Sequence, residues 1–196
     1  MRSFDNDLKS YDLNSAYREI VEKILRAYFH TEKVYKVNSK EHFYAYVLEK
    51  MGIDYVIILQ QEEEEGEGRE LFKKIITIQL KIRDSKYYMK DICVEVMHES
   101  LQDRSKSLGY IFDIKADYIL YSWGKDKDKD NKLLPSMLLI SVDRLKRFFW
   151  LNKSKYELIP TKGSYSADKE WITYNMFIPL EDCSNCYEVI EYVEDK

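Results

Sequence analysis

Gly52-Ile53-Asp54-Tyr55-Val56-Ile57-Ile58-Leu59 and, further on, Ile75-Ile76-Thr77-Ile78-Gln79-Leu80-Lys81-Ile82-Arg83 are the two runs on which the reading of this chain turns. Both predict strands. The first is apolar on both faces after Asp54, the pattern of a strand covered on both sides. The second alternates strictly, with Ile76, Ile78, Leu80 and Ile82 on one face and Thr77, Gln79, Lys81 and Arg83 on the other. If the two pair as a hairpin, the carboxylate of Asp54 sits at the mouth of the first strand, beside an amide oxygen and an ammonium on the second.

That set of groups suits metal-assisted hydrolysis. Cleaving a phosphodiester calls for a hard cation, Mg²⁺ or Mn²⁺, held by oxygen ligands to neutralise phosphoryl charge and activate water. Asp54 is the candidate principal ligand and the Gln79 amide oxygen a neutral one, with the Leu80 carbonyl as a further donor. Lys81 is the candidate to orient the attacking water and stabilise developing charge. The same polar row also suits the solvated face of an amphipathic strand, and the Gly-Ile-Asp partner is what separates a site from that plainer reading.

Asp54 followed by Gln79-x-Lys81 resembles the PD-(D/E)XK nuclease superfamily, in the variant where glutamine replaces the acid of the second motif. Weaker similarity continues through Gly109-Tyr110, Lys115 to Tyr121 and Leu139 to Leu145, so that it spans roughly Tyr17 to Pro179. The resemblance implies an α/β fold, a three-layer restriction-endonuclease-like domain whose mixed central sheet is flanked by helices. It implies a metal-dependent DNA endonuclease, of a superfamily that includes structure-selective enzymes such as junction resolvases and whose small members often act as homodimers. It also implies an acidic residue from the first helix in the metal site, for which Glu19 and Glu22 are the candidates. A catalytically silent nucleic-acid-binding or assembly protein on the same scaffold is the alternative, since glutamine leaves the site one negative charge poorer. The tyrosine-rich, proline-poor composition is similar to that of crenarchaeal virus or plasmid products, among which fuselloviruses encode a nuclease of this superfamily.

Composition sets outer limits. The 196 residues suffice for one sizeable core and predict a single domain over 1–196, with its core at about 12–180 and a short acidic tail. Hydrophobic residues make up 45% and charged residues 34%, the balance of a globular protein. The net charge of −4 argues against coating nucleic acid by bulk positive charge, so DNA contact has to come from a local basic face. Arg83, Lys86, Lys90, Arg104 and Lys106 are the candidates for it. No apolar run reaches the roughly 18 residues of a transmembrane helix and the polar N-terminus lacks a signal-peptide core, so the expectation is an intracellular protein with no membrane partner. Cys183-Ser184-Asn185-Cys186 lacks the second ligand pair of a structural zinc site and predicts a local disulfide or two free thiols.

The remaining elements follow from periodicity. Residues 12–29 form an amphipathic helix with Tyr17, Ile20, Val21, Ile24, Leu25 and Tyr28 as its stripe. At about 100° per residue, Glu19 falls nearly opposite that stripe and Glu22 near its edge. Residues 41–51 form a second helix that stops at Gly52. Gln60 to Glu70, with four consecutive glutamates, predicts a solvated hairpin tip or flap unsuited to DNA, and Gly124 to Lys132 a charged hairpin connection. Strands are expected at 91–96, 117–123, 137–142 and 171–178. An aspartate-capped helix at 143–151 carries Phe148, Phe149 and Trp150, which cannot all face one core. The tail after Pro179 predicts a short helix or a frayed end.

Overall fold

The computed structural model describes residues 15–37, 43–65, 68–124, 135–166 and 169–191. In chain order the elements are α1 (Ser15–Phe29), β1 (Val34–Lys36), α2 (Phe43–Lys50), β2 (Tyr55–Glu65), β3 (Gly68–Asp84), β4 (Asp91–Ser100), β5 (Lys106–Leu108), α3 (Tyr110–Asp113), β6 (Tyr118–Gly124), β7 (Ser136–Ser141), α4 (Val142–Asn152), β8 (Ile159–Ser166), β9 (Lys169–Pro179) and β10 (Tyr187–Glu191). They form a mixed α/β fold. A six-stranded sheet runs in the order β1-β2-β3-β6-β7-β10 and a four-stranded sheet in the order β5-β4-β9-β8. The β3–β6 pair is parallel while every other pair in the larger sheet is antiparallel, which makes that sheet mixed.

The alternation read in the sequence divides the protein into two cores. On one face of the large sheet, Ile76, Ile78 and Ile82 of β3 join Tyr55 and Ile57 of β2, and α1 lays Val21, Ile24 and Leu25 over them. On the other face, Ile119 and Tyr121 of β6 and Leu138 and Ile140 of β7 meet Val94 of β4, Met176 and Ile178 of β9, and Leu145 and Phe149 of α4. Strands β6 and β7 feed both cores through alternate residues, as strands covered on both sides do. A parallel pair needs a long crossover, and here the β3-to-β6 crossover contains β4, β5 and α3. The second sheet is thus built partly inside the connection of the first.

Several expectations are corrected. The segment expected as a loop from Gln60 to Glu70 is strand up to Glu65 and again from Gly68, paired in register down to Glu65↔Gly68, because backbone pairing tolerates charged side chains at a hairpin end. Helix α4 is capped by Ser141, whose hydroxyl accepts from the Arg144 amide, and Asp143 lies inside its first turn. Instead of fraying or forming an α-helix, the tail makes a 3₁₀ stretch (Leu180–Cys186) and then β10, which covers the edge of β7. Strand β8 carries Pro160 and Gly163, residues that disguise a strand in sequence, and lies at an edge where proline is tolerated. Cys183 and Cys186 are buried free thiols. Residues 12–14, 41–42 and 125–134, on which parts of the expected helices and connection fall, lie outside the described residues.

Ile78 is fully buried where β3 pairs with both β2 and β6. Its truncation to alanine removes three carbons from the most constrained strand. We expect Ile78→Ala to lower unfolding free energy by about 2–5 kcal/mol. Urea denaturation checks this, and a midpoint within error of the parent would show that the core under α1 relaxes around the loss.

Candidate functional site

Asp54 stands one residue before β2, but its backbone already follows the sheet: its amide donates to Ile78 O at 2.8 Å and its carbonyl accepts from Val37 N at 2.8 Å. Its carboxylate Oδ2 accepts from the Leu80 amide at 2.7 Å, continuing the ladder with a side chain where the partner backbone has turned away. Asp54 therefore meets β3 at the peptide between Gln79 and Lys81. A carboxylate accepts at up to four lone-pair positions, so this bond orients the group without exhausting it.

Gln79 is held by what precedes Asp54. Helix α2 ends at Gly52, which adopts φ +72°, a left-handed conformation that favours glycine, with Ile53 N bonded back to Leu48 O at 3.0 Å. A Cβ on Gly52 would lie 3.2 Å from Gln79 Nε2 and 3.7 Å from Ile114 Cγ1. The glycine thus serves the backbone turn and the close approach of the amide together. The Gln79 Oε1 atom is buried and, among the described residues, has no hydrogen-bond partner. A buried amide oxygen left this way costs on the order of 1–3 kcal/mol.

Lys81 points to the same side and is 18% exposed. Its ammonium lies 3.6 Å from Glu95 Oε1 and 4.4 Å from the centre of the Tyr110 ring. Sequence reading missed Glu95, which lies in another strand and carries no local motif. Its position depends on a β-bulge between Glu95 and Met97 in the β4–β9 ladder. Gly109 packs directly on that bulge. Its amide donates to Val96 O at 2.8 Å, and a Cβ there would come within 2.3 Å of Glu95 O, so no other residue fits without moving β4. Glu95 also reaches His98 Nε2 at 3.5 Å.

Lys81, Arg83, Cys93, Glu95, Tyr110 and Tyr121 line a cleft of about 20 Å³ between the sheets, room for little more than a water molecule. That is smaller than the roughly 300–1,000 Å³ of pockets that hold drug-sized ligands. Burial pushes the Cys93 thiol up to about 12 and the Tyr110 and Tyr121 hydroxyls well above their ordinary range, so these groups are neutral. Burial alone would lower the Arg83 value, yet Tyr121, Cys93 and Asp91 around it raise it and keep the guanidinium charged.

No family model, curated protein or solved structure matches the chain.

The other candidates are distributed as follows. Glu19 is exposed on α1, and Glu22 is bonded to Arg26 at 3.1 Å. Their helix packs on the Ile76–Ile78 face, opposite the one carrying Gln79 and Lys81, so the structure does not bring them to Asp54. Arg83 is 5% exposed, bonded to Asp91 and stacked 4.1 Å from the Tyr87 ring centre; it ties β3 to β4 rather than presenting itself to a phosphate. Lys86 bonds Asp84 at 2.6 Å and Lys90 is exposed, both in the turn after β3. Arg104 and Lys106 surround Glu99 at the β4–β5 turn. Among the described residues, no three His, Cys, Asp or Glu side chains gather as a metal site. Asp54 and Gln79 nonetheless fit Mg²⁺ or Mn²⁺, because such ions keep several waters and take one or two carboxylates, and the unsatisfied Gln79 oxygen is a donor of the right hardness.

Cys93 and Cys183 each have a thiol raised from 9.0 to about 12, chiefly by burial. The unfolded chain then ionises first, so their contribution is complete below about pH 9 and falls as pH climbs towards 12. We expect all three thiols to resist a thiol-specific reagent at pH 8 until denaturant is added, and the melting temperature to drop between about pH 9 and 12. Rapid labelling of a native thiol would show that its burial is transient.

Proposed function

We propose that this chain is a metal-dependent DNA endonuclease with a three-layer, restriction-endonuclease-like architecture, working through Asp54, Gln79 and Lys81. The observation that carries the reading is the buried, unpartnered Oε1 of Gln79, on the strand to which Asp54 is bonded and two residues from a half-buried ammonium. Folding leaves such an atom unsatisfied at a cost, and a ligand to that oxygen removes the cost. The mixed sheet with cores on both faces supports the same architecture.

In this reading Asp54 and Gln79 hold Mg²⁺ or Mn²⁺, which when bound neutralises phosphoryl charge and acidifies a water. Lys81 donates to the attacking water or to the phosphoryl oxygen as charge develops. A P–O bond forms to the water oxygen as the bond to the leaving oxygen breaks, and the water's proton passes to solvent. Glu95 and the Tyr110 ring keep the ammonium from swinging into solvent. The Lys81–Glu95 pair also favours the second reading, a silent nucleic-acid-binding scaffold, in which that ion pair is simply structural.

Asp54→Asn separates the two. It retains an acceptor for the Leu80 amide while removing the charge, so the fold is preserved. With Mg²⁺ and a chelator control, across linear, nicked, flapped and four-way DNA, the variant should lose cleavage while melting near the parental temperature. Lys81→Ala should slow single-turnover cleavage by about 10²–10³-fold with little change in DNA affinity. Equal cleavage by parent and both variants would remove these residues from the mechanism, and a Lys81→Ala defect confined to affinity would favour the silent scaffold.

We also propose a homodimer. Phe149 is buried and Phe148 half-buried, which leaves Trp150 turned outward at 55% exposure, with Leu151 at 77% beside it. Sedimentation at rising concentration should show a dimer that Trp150→Glu converts to monomer. A parent that stays monomeric at high concentration would end this proposal.

A further inference from the structure

Beside Lys81, which its own strand supplies, further basic residues come from outside that strand to the Gly52 turn next to Gln79. Three backbone relations bring them together. Met51 O accepts from the Lys115 amide at 3.0 Å, Ile114 lies against Gly52, and Lys146 Nζ of α4 donates to Ile114 O at 2.7 Å. Lys50, Lys115 and Lys146 therefore surround the Gly52 turn that cradles the Gln79 amide. Among the described residues, none of the three has an ion pair. The carboxylates acting on Lys146 are Asp113 and Asp143, both exposed, and Asp143 is bonded to Arg147 at 3.3 Å, while Glu49 stands beside Lys50 and Asp54 two residues after Gly52. Burial and, after it, the neighbouring Lys115 lower the Lys146 value, and Asp113 and Asp143 offset this in part.

Aromatic surface adjoins Lys50. Helix α2 ends at Lys50 and leaves Tyr44 80% and Tyr46 49% exposed, with the Lys50 ammonium 5.5 Å from the Tyr46 ring centre. Cations that follow a phosphate chain, with rings that stack bases, are the two components of single-strand recognition. Lys86 lies beyond the end of β3, in the 3₁₀ turn that starts at Ser85, seven residues after Gln79 in sequence.

We propose that Lys50, Lys115 and Lys146, with Tyr44 and Tyr46, form the docking surface for a single strand of nucleic acid and lead it past Gln79. The inference rests on the phosphodiester reading of the adjacent site, but docking is measured apart from cleavage. The full-length protein is titrated into a fluorescent oligothymidylate of about 12 nucleotides, in chelator, between about 50 and 200 mM salt. Lys115→Gln with Lys146→Gln should weaken binding about tenfold and reduce the slope of log K against log salt by about 1.4, the value for two lost single-strand phosphate contacts. Lys115→Gln alone, at an exposed position, should reduce it by about 0.7. Tyr46→Ala should weaken binding about fivefold or more. Lys86→Gln with Lys90→Gln should leave binding unchanged. The proposal is overturned if the lysine variants bind like the parent, if the Lys86/Lys90 variant is the one that loses affinity, or if polyglutamate or a duplex of equal length binds as tightly. Lysine-dependent binding without cleavage in Mg²⁺ would retain the docking surface and remove the nuclease reading.

Discussion

A strand buried on both sides must satisfy whatever it sends to each, and β3 sends Gln79, Lys81 and Arg83 into the space where two sheets meet. Ionised and polar groups lose several kcal/mol of hydration there unless partners replace the water. The protein replaces it unevenly. Arg83 receives a carboxylate, a carbonyl and two aromatic faces. Lys81 receives one carboxylate at 3.6 Å and one ring. The carbonyl oxygen of Gln79 receives nothing among the described residues. Along three alternate residues of one strand, the polar row passes from a tie between sheets, whose Arg83 Nε is also buried without a partner among the described residues, to the Gln79 oxygen.

That gradient follows from topology. Strand β2 begins pairing with β3 at Tyr55↔Ile78, and β6 begins on the other edge at Ile78↔Tyr118. Beyond Ile78, the edge of β3 that β2 has vacated carries, among the described residues, the Asp54 side chain on the Leu80 amide. The opposite face is roofed by β4 and α3 over Lys81 and Arg83, but at Gln79 the roof is the Gly52 turn and the Ile114 loop. Neither offers a side-chain hydrogen-bond donor there. Asp54 and Gln79 thus lie where the large sheet changes neighbours.

The alternation of β3 was legible because period-2 patterning is a local property, and so were Asp54, Gln79 and Lys81 as residues of one face. Glu95 was not. It lies on a strand of another sheet, and its aim depends on a bulge held by a glycine fourteen positions later in sequence, Gly109. Arg83 was misread because a charged residue on an alternating strand suggests solvent unless a second layer is foreseen, and the second sheet joins β4 and β5 of the crossover to β8 and β9 from much later in the chain, a pairing that no local pattern foretells. Lys115 and Lys146 gave no signal for the same reason: one is in a loop and the other on a helix, and only the Met51 and Ile114 carbonyls bring them together.

Net charge, too, means less than its placement. At −4 the chain as a whole would repel a polyanion, and four of its carboxylates are Glu62 to Glu65. Yet β2 runs from Tyr55 to Glu65, so the backbone of that acidic run lies roughly 23–33 Å from Tyr55. Exposed charges are screened beyond about 8–10 Å at moderate salt, so the hairpin tip contributes almost nothing at the Gly52 turn. There Lys115 stands beside Lys146, with Asp113 and Asp143 offsetting part of their charge. The long acidic ribbon, which in sequence argues against an anionic partner, removes its own objection by its length.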